Sequence, residues 1–180
     1  YTALTEKEIN AIIRAESLAP NGTIICAGTW NGGDVMALTL ANPNRRIIAI
    51  DSFFGLSEQS KEDLFDGAMV KGEMSIGGRQ VYENNFKQMK IYPPEIYDCF
   101  ITPETLSVID PGTVGMLWLD LDLYQPTKDC LEYFDKFLAK DAIIMSHDYG
   151  FIRCPGIKTA CDEYSDKWKF VEGGIFGLNI

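Results

Sequence analysis

The sequence predicts an α/β protein with a doubly wound, mainly parallel sheet. Short apolar segments alternate along the chain with longer segments of helical periodicity, the pattern that strand–helix–strand units produce. The first apolar segment, Thr23–Ala27, has the continuous hydrophobicity of a strand buried on both faces. Near the C-terminus, two strand-like segments are joined by Gly173 and Gly174, a link typical of a hairpin, which predicts an antiparallel strand at or near one edge.

The other elements follow from capping residues and periodicity. Thr5 and Glu8 have the spacing of a capping box at the start of a helix that Pro20 ends. The predicted strands are 23–27, 46–51, 97–101, 114–120 and 142–146, and the predicted helices are 5–18, 34–41, 79–89, 124–138 and one that begins at 154. Residues 57–78, which contain acidic clusters and several glycines, are expected to form a mobile excursion over the sheet.

Composition limits the class of protein and of partner. The 180 residues are 46% hydrophobic, enough for a single domain over residues 1–180 with a substantial core. The formal net charge of −10 argues against nucleic acid as a partner. No apolar segment approaches the ~20 residues of a membrane span, so no membrane association is expected. The five cysteines lack C-x-x-C spacing, as reduced thiols do, and predict a cytoplasmic protein.

The first candidate site lies where the first strand meets a glycine-rich turn. Ligands of doubly wound sheets bind outside the carboxyl ends of the strands, and Gly28 to Gly33 follow such an end directly. Asp51 ends the next strand, where a carboxylate suits both hydroxyls of a ribose. The pair predicts a nucleoside site, although a plain turn and a capping Asp would give the same pattern.

The glycine spacing argues against phosphate-binding motifs. The turn has the pattern G-x-W-x-G-G, which differs from the dinucleotide motif G-x-G-x-x-G. A P-loop lysine is also missing from the sequence. The crevice therefore favours a nucleoside without phosphates.

The second candidate site consists of acidic residues after two later strands. Asp120 and Asp122 follow one strand, and His147 and Asp148 follow the next. Neighbouring parallel strands lie about 4.8 Å apart, so adjacent strands would bring these carboxylates together, and their repulsion favours a bound cation. Mg²⁺ is expected first, with Mn²⁺ as the alternative. Asp122 or Asp148 could instead cap the helix or turn that follows.

Five motifs occur in order along the chain: Cys-Ala-Gly-Thr-Trp-Asn-Gly-Gly at 26–33, Asp-Ser-Phe-Phe-Gly-Leu at 51–56, Glu-Thr-Leu at 104–106, Asp-Leu-Asp-Leu-Tyr-Gln-Pro-Thr at 120–127 and His-Asp-Tyr-Gly at 147–150. Together they resemble the macrocin O-methyltransferase-like sugar methyltransferases, whose motifs are E-T-G-x-W-x-G-G, D-S-F-x-G-L, E/D-T-L, D-x-D-x-Y-x-S/P-T and D-D-Y-G. The resemblance runs from about Thr23 to Tyr164. It implies a seven-stranded, Rossmann-like methyltransferase sheet, S-adenosylmethionine as cofactor and a need for magnesium.

The resemblance also implies roles for particular residues. The expected cofactor-binding residues are Gly28, Thr29, Trp30, Gly32, Gly33, Asp51, Ser52 and Asp120. The expected metal ligands are Asp120, His147 and Asp148, and the candidate catalytic residues are Asp120 and His147.

Two positions depart from the family pattern. Cys26 stands where the family has a glutamate that faces the methionine ammonium, so another residue is expected to make that contact. His147 stands where the family has the first Asp of its metal pair. The chain is also shorter at its N-terminus than the family usually is, so helices that cover the acceptor are expected to be missing or to come from another subunit of a homo-oligomer.

The expected reaction is O-methylation of a small hydroxylated acceptor, a sugar or another vicinal diol, with the cation lowering the pKa of the hydroxyl and orienting it. His147 could ligate that cation, which would suit Mn²⁺, Fe²⁺ or Zn²⁺ better than Mg²⁺. It could instead act as a general base or simply pack at the sheet edge. Trp30, Tyr124 and Tyr149 are candidates for an aromatic wall beside the sulfonium.

Two other function classes remain open. The first is another nucleotide-dependent enzyme, although the S/Y-x-x-x-K pairing of short-chain oxidoreductases is missing where it would be expected. The second is a non-catalytic module that binds adenosylmethionine, which the changes at Cys26 and His147 suggest. Binding of NAD(P) in place of adenosylmethionine would indicate the first class, and cofactor binding without methyl transfer would indicate the second.

Overall fold

The computed structural model describes residues 1–179, and Ile180, the last residue of the predicted domain, lies outside the described residues. The strands are β1 (Thr23–Ala27), β2 (Ile47–Asp51), β3 (Glu95–Asp98), β4 (Val114–Leu119), β5 (Leu138–Ser146), β6 (Lys169–Glu172) and β7 (Ile175–Asn179). The α-helices are α1 (Glu6–Leu18), α2 (Gly33–Ala41), α3 (Arg79–Met89), α4 (Pro103–Leu106), α5 (Tyr124–Phe134) and α6 (Pro155–Tyr164). Short 3₁₀ turns cover Lys61–Asp63 and Asp135–Phe137.

All seven strands form one sheet in the order β3-β2-β1-β4-β5-β7-β6. Strands β1 to β5 pair in parallel, whereas β7 runs antiparallel to both of its neighbours, β5 and β6. The predicted doubly wound, mainly parallel sheet with an antiparallel strand near one edge is therefore confirmed. Because the winding direction reverses between β1 and β4, a crevice opens at the carboxyl ends of these two strands.

Successive strand residues enter two separate core layers. In β1, Ile24 and Cys26 pack in the layer that contains residues of α1, α2 and α3. Ile25 and Ala27 pack on the other face, with residues of α4 and α5. Every side chain of β1 is buried, which agrees with its apolar residues 24–27, and the hydroxyl of Thr23 donates to the Pro111 carbonyl.

The N-terminal helix begins as its sequence predicts. The Thr5 side chain accepts a hydrogen bond from the Glu8 backbone, and the Glu8 side chain accepts one from the Thr5 backbone, so the capping box is confirmed. Among residues 1–179, no helix combines the length and the apolar character needed to cross a membrane.

The predicted boundaries of three elements, β3, α5 and β5, are wrong. Strand β3 was expected over 97–101, but its pairing with β2 ends at Asp98 opposite Asp51, and Ile101 packs into the core before α4. Helix α5 was expected to continue to 138, but it ends at Phe134, and Leu138 instead begins β5 opposite Val114. Pairing with a neighbouring strand thus overrides the apolar spacing that suggested a longer helix.

Candidate active site

A cavity of about 260 Å³ lies at the carboxyl ends of the central strands. It brings together eight of the residues predicted from the sequence, which are Gly28, Thr29, Trp30, Asp51, Ser52, Asp120, His147 and Asp148. The two candidate sites are therefore parts of one cavity. Its walls are completed by residues 1–4, by Leu56 in the turn before the excursion and by Met69 within the excursion.

Asp51 organises the glycine loop from the end of β2. Its Oδ2 accepts hydrogen bonds from the backbone N–H groups of Thr29 (2.7 Å) and Trp30 (2.8 Å), and its Oδ1 accepts one from Phe53 (2.7 Å). Burial raises the pKa of Asp51, and the three N–H groups partly offset that rise. Asp51 is thus a fixed carboxylate at the cavity, with its two oxygens held in a defined orientation.

Gly28 allows the glycine loop to approach the end of β4. Its φ of +78° lies in the left-handed region, and a Cβ at this position would lie 1.9 Å from the backbone oxygen of Asp120. Any side chain at Gly28 would separate the two strand ends. The glycine therefore brings the loop and Asp120 to the same end of the cavity.

Gly32 and Gly33 do not line the cavity. A Cβ on Gly32, whose φ is +87°, would lie 2.6 Å from the ring of Phe86 and 2.7 Å from that of Tyr82. A Cβ on Gly33 would contact residues 1–2, and both backbone N–H groups donate to other backbone carbonyls. In this structure the two glycines serve the packing of the loop, and their predicted contact with the cofactor stays a prediction. A larger residue at Gly32 would disturb aromatic packing before it reached the cavity.

One of the three candidate aromatic residues lines the cavity. Trp30, whose φ is +43°, contributes to its wall. The hydroxyl of Tyr124 donates instead to Glu163, and the ring of Tyr149 stacks on Phe176 with centroids 4.2 Å apart. Of the expected aromatic residues only Trp30 thus lines the cavity, whose other aromatic lining residues are Tyr1, Phe100 and Phe151.

His147 lies among three carboxylates. Its Nδ1 is 3.2 Å from Asp120 Oδ1 and 3.0 Å from Asp148 Oδ1, and its Nε2 is 3.4 Å from Glu8 Oε1. Ligand atoms of Asp120, His147 and Asp148 all lie within 4.8 Å of one another. The buried Nδ1 nevertheless makes no hydrogen bond of good geometry within residues 1–179. The predicted convergence of these three residues on one point is therefore present.

The charges of this cluster depend on one another. Burial would lower the pKa of His147, but Asp120 and Asp148 outweigh burial and raise the pKa to about 11. An imidazole with this pKa is protonated at neutral pH, so it offsets the repulsion between the two carboxylates. A protonated ring cannot accept a proton, which argues against His147 as the general base.

Asp122 does not cap the helix that follows it. The backbone N–H of Tyr124 at the start of α5 donates instead to Asp63 Oδ1 over 2.8 Å, from the 3₁₀ turn of the excursion. Asp122 Oδ1 accepts a hydrogen bond from the Cys154 thiol at 3.4 Å, and Asp122, Asp148 and Cys154 form a second group of converging ligand atoms. Burial, followed by the charges of Asp120 and Asp148, raises the pKa of Asp122.

The family model described as Macrocin-O-methyltransferase (TylF) matches residues 6–173 of the chain. The chain belongs to this family. Membership confirms the resemblance that the five motifs indicated and the prediction of an O-methyltransferase. No curated protein matches the chain.

Solved structures show the same fold as this macrocin-O-methyltransferase family member. CalS11, a calicheamicin methyltransferase also described as a TDP-rhamnose 3'-O-methyltransferase, is 20% identical and superposes with a TM-score of 0.76 over 96% of this chain and 77% of CalS11. The O-methyltransferase NovP is 21% identical, with a TM-score of 0.78 over 99% of this chain and 81% of NovP. An O-methyltransferase from Bacillus cereus in complex with SAH is 11% identical, with a TM-score of 0.64 over 98% and 82% of the two chains.

Sequence reasoning missed three acidic residues of this macrocin-O-methyltransferase family member. Asp34 lines the cavity from α2, Glu8 reaches His147 from α1, and Asp63 caps α5. Glu8 was assigned only to its capping box, and an acid in the first turn of a helix, such as Asp34, is common without any ligand. Their partners lie far away along the chain, so the spacing of residues in the sequence could not indicate these contacts.

Proposed function

We propose that this protein transfers a methyl group from S-adenosylmethionine to a hydroxyl group of a sugar. The observation that carries the proposal is the single cavity that joins the Asp51-anchored glycine loop to the Asp120, His147 and Asp148 cluster. Membership in the macrocin-O-methyltransferase family supports the same reaction. A cofactor end and an acceptor end within one cavity are what group transfer requires.

The cofactor end is assigned to the glycine loop and the end of β2. Bound S-adenosylmethionine would supply a methyl group on a cationic sulfur. Asp51 would accept hydrogen bonds from the ribose hydroxyls, since its oxygens are already oriented by the loop. Ser52, whose hydroxyl donates to the Gly55 carbonyl at 2.9 Å, would shape the turn beside the ribose. Trp30 would cover one side of the ligand, and Gly28 keeps the loop close to Asp120.

The acceptor end fits a divalent cation. Nδ1 of His147 lies between two carboxylates without a well-directed hydrogen bond, and Nε2 faces Glu8, as in sites where a carboxylate orients a ligating histidine. A cation would compete with the proton for this nitrogen. Bound there by Asp120, His147 and Asp148, it would lower the pKa of an acceptor hydroxyl. One nitrogen in the ligand set suits Mn²⁺ better than Mg²⁺.

The chain's own residues then move the proton. As the acceptor oxygen bonds to the methyl carbon and the carbon–sulfur bond breaks, the sulfur keeps the electron pair and the hydroxyl proton leaves. We assign Asp120 as the group that receives it, through the carboxylate oxygen that would not bind the cation, because this carboxylate faces the cavity with 25% of its side chain exposed. With the cation bound, His147 would position Asp120 and Asp148 as a fellow ligand and would not itself accept the proton.

A methyl-transfer assay tests the proposed function. We expect incubation with S-adenosylmethionine and nucleotide-linked deoxysugars, such as TDP-rhamnose, to give a methylated sugar detected by mass spectrometry. Chelation with EDTA should abolish the product, and added Mg²⁺ or Mn²⁺ should restore it. Cofactor binding with no transfer to sugars, glycosides or catechols would favour the non-catalytic alternative.

Replacement of His147 tests whether this residue is a ligand of the cation. We expect His147→Asp to raise the affinity for Mg²⁺ relative to that for Mn²⁺, because an oxygen ligand replaces a nitrogen ligand. Calorimetric titration of both proteins with each cation measures the change. Equal affinity and selectivity in the two proteins would remove His147 from the coordination sphere.

A further inference from the structure

Asp34 is a buried carboxylate at the cavity to which the reaction above gives no role. It lies in the first turn of α2, directly after the glycine loop, and it is 5% exposed. Its Oδ2 accepts a hydrogen bond from the indole N–H of Trp118 over 2.7 Å. Trp118 is itself fully buried in β4, so it fixes the orientation of the carboxylate. Asp34 therefore presents a carboxyl group of fixed orientation to the cavity.

The strand end beside Asp34 carries no charge of its own. Cys26, the residue before the last of β1, is fully buried, and burial followed by the charge of Asp34 raises the pKa of its thiol. The thiol is therefore neutral at physiological pH. Any cationic group of a ligand that reaches this corner of the cavity would meet Asp34 rather than the strand.

The other carboxylates of the cavity already have partners. Asp51 accepts three backbone hydrogen bonds and faces the proposed ribose. Asp120 and Asp148 lie against the histidine of the proposed cation site. Asp122 accepts a hydrogen bond from the Cys154 thiol. Asp34 adjoins the same glycine loop, has no cationic partner among residues 1–179, and is assigned neither to the ribose nor to the cation.

We propose that Asp34 binds the α-ammonium group of the methionine moiety of S-adenosylmethionine. This inference rests on the proposed function, and it divides the ligand between two carboxylates, with Asp51 at the ribose and Asp34 at the amino-acid end. The electrostatic setting supports it. Burial, followed by the charge of Asp120, raises the pKa of Asp34 to about 7. A cationic group bound beside Asp34 would offset both the loss of solvation and the repulsion from Asp120, and would stabilise the ionised carboxylate.

A pair of ligands separates the amino-acid end from the adenosine end. S-adenosylhomocysteine carries the amino-acid moiety, whereas 5′-methylthioadenosine keeps the adenosine and the thioether and lacks that moiety, with both its ammonium and its carboxylate group. We expect Asp34→Asn to weaken S-adenosylhomocysteine binding by about tenfold or more, the effect of losing one charge-assisted hydrogen bond. The affinity for 5′-methylthioadenosine should stay unchanged. Isothermal titration calorimetry in EDTA measures both, and unchanged 5′-methylthioadenosine binding shows that the cavity remains folded.

Asp122→Asn is the matched control, because it removes another buried carboxylate of the same cavity. Its ratio of affinities for the two ligands should equal that of the wild type. The inference is overturned if Asp34→Asn binds S-adenosylhomocysteine normally, if it loses both ligands equally, or if Asp122→Asn causes the same selective loss. If the wild type binds neither ligand, the proposed function fails and the Asp34 assignment fails with it.

Discussion

Replacing Asp51 with alanine is expected to weaken S-adenosylmethionine binding on the order of 100-fold or more, because two hydrogen bonds to a charged group contribute about 1.5–3 kcal/mol each. The substitution also leaves the backbone N–H groups of Thr29, Trp30 and Phe53 without their acceptor. The glycine loop would then lose the contact that holds it against β2. Calorimetry gives the affinity, and thermal unfolding followed by circular dichroism gives the accompanying loss of stability.

Asp98→Ala is the control for this prediction. Asp98 ends β3 in direct register with Asp51, yet it is exposed and does not line the cavity. Its substitution removes only a weak repulsion of Asp51, so the dissociation constant should change far less than in Asp51→Ala. Normal cofactor affinity in folded Asp51→Ala would contradict the assignment of the ribose to this carboxylate.

Replacing Asp120 with asparagine is expected to lower the rate of methyl transfer by about 10²–10⁴-fold, the range for loss of a general acid or base. Asparagine keeps the size of the side chain but cannot accept the proton, and it weakens the charge beside His147 Nδ1. Single-turnover measurement at saturating cofactor separates this loss from any change in binding.

Asp166→Asn serves as the control for Asp120, since Asp166 is an exposed acid in the turn between α6 and β6. It should retain the wild-type rate. A folded Asp120→Asn protein that turned over at a rate close to that of the wild type would show that another group accepts the proton.

The sequence predicted those parts of the site that follow directly from strand ends. Asp51 and Asp120 end apolar strands, and parallel strands in one sheet present such residues at the same edge. The glycine loop was predicted for the same reason. These predictions needed only the local pattern of apolar strands and the rule that ligands bind at the carboxyl ends of parallel strands.

The rest depended on contacts between distant parts of the chain. Glu8 and His147 are 139 positions apart, and Asp34 and Trp118 are 84 apart, so no spacing in the sequence relates them. The sequence also could not show that Gly32 packs against Tyr82 and Phe86, because these two residues belong to α3. The end of α5 was misplaced because strand pairing at Leu138 outweighs helical periodicity.

The central claim is that the cavity between the glycine loop and Asp51 binds S-adenosylmethionine. Calorimetric titration of the wild-type protein with S-adenosylmethionine, and in parallel with NAD⁺ and NADP⁺, tests it most directly. We predict saturable binding of one S-adenosylmethionine per chain and no binding of either dinucleotide. Binding of a dinucleotide with none of S-adenosylmethionine would contradict the account.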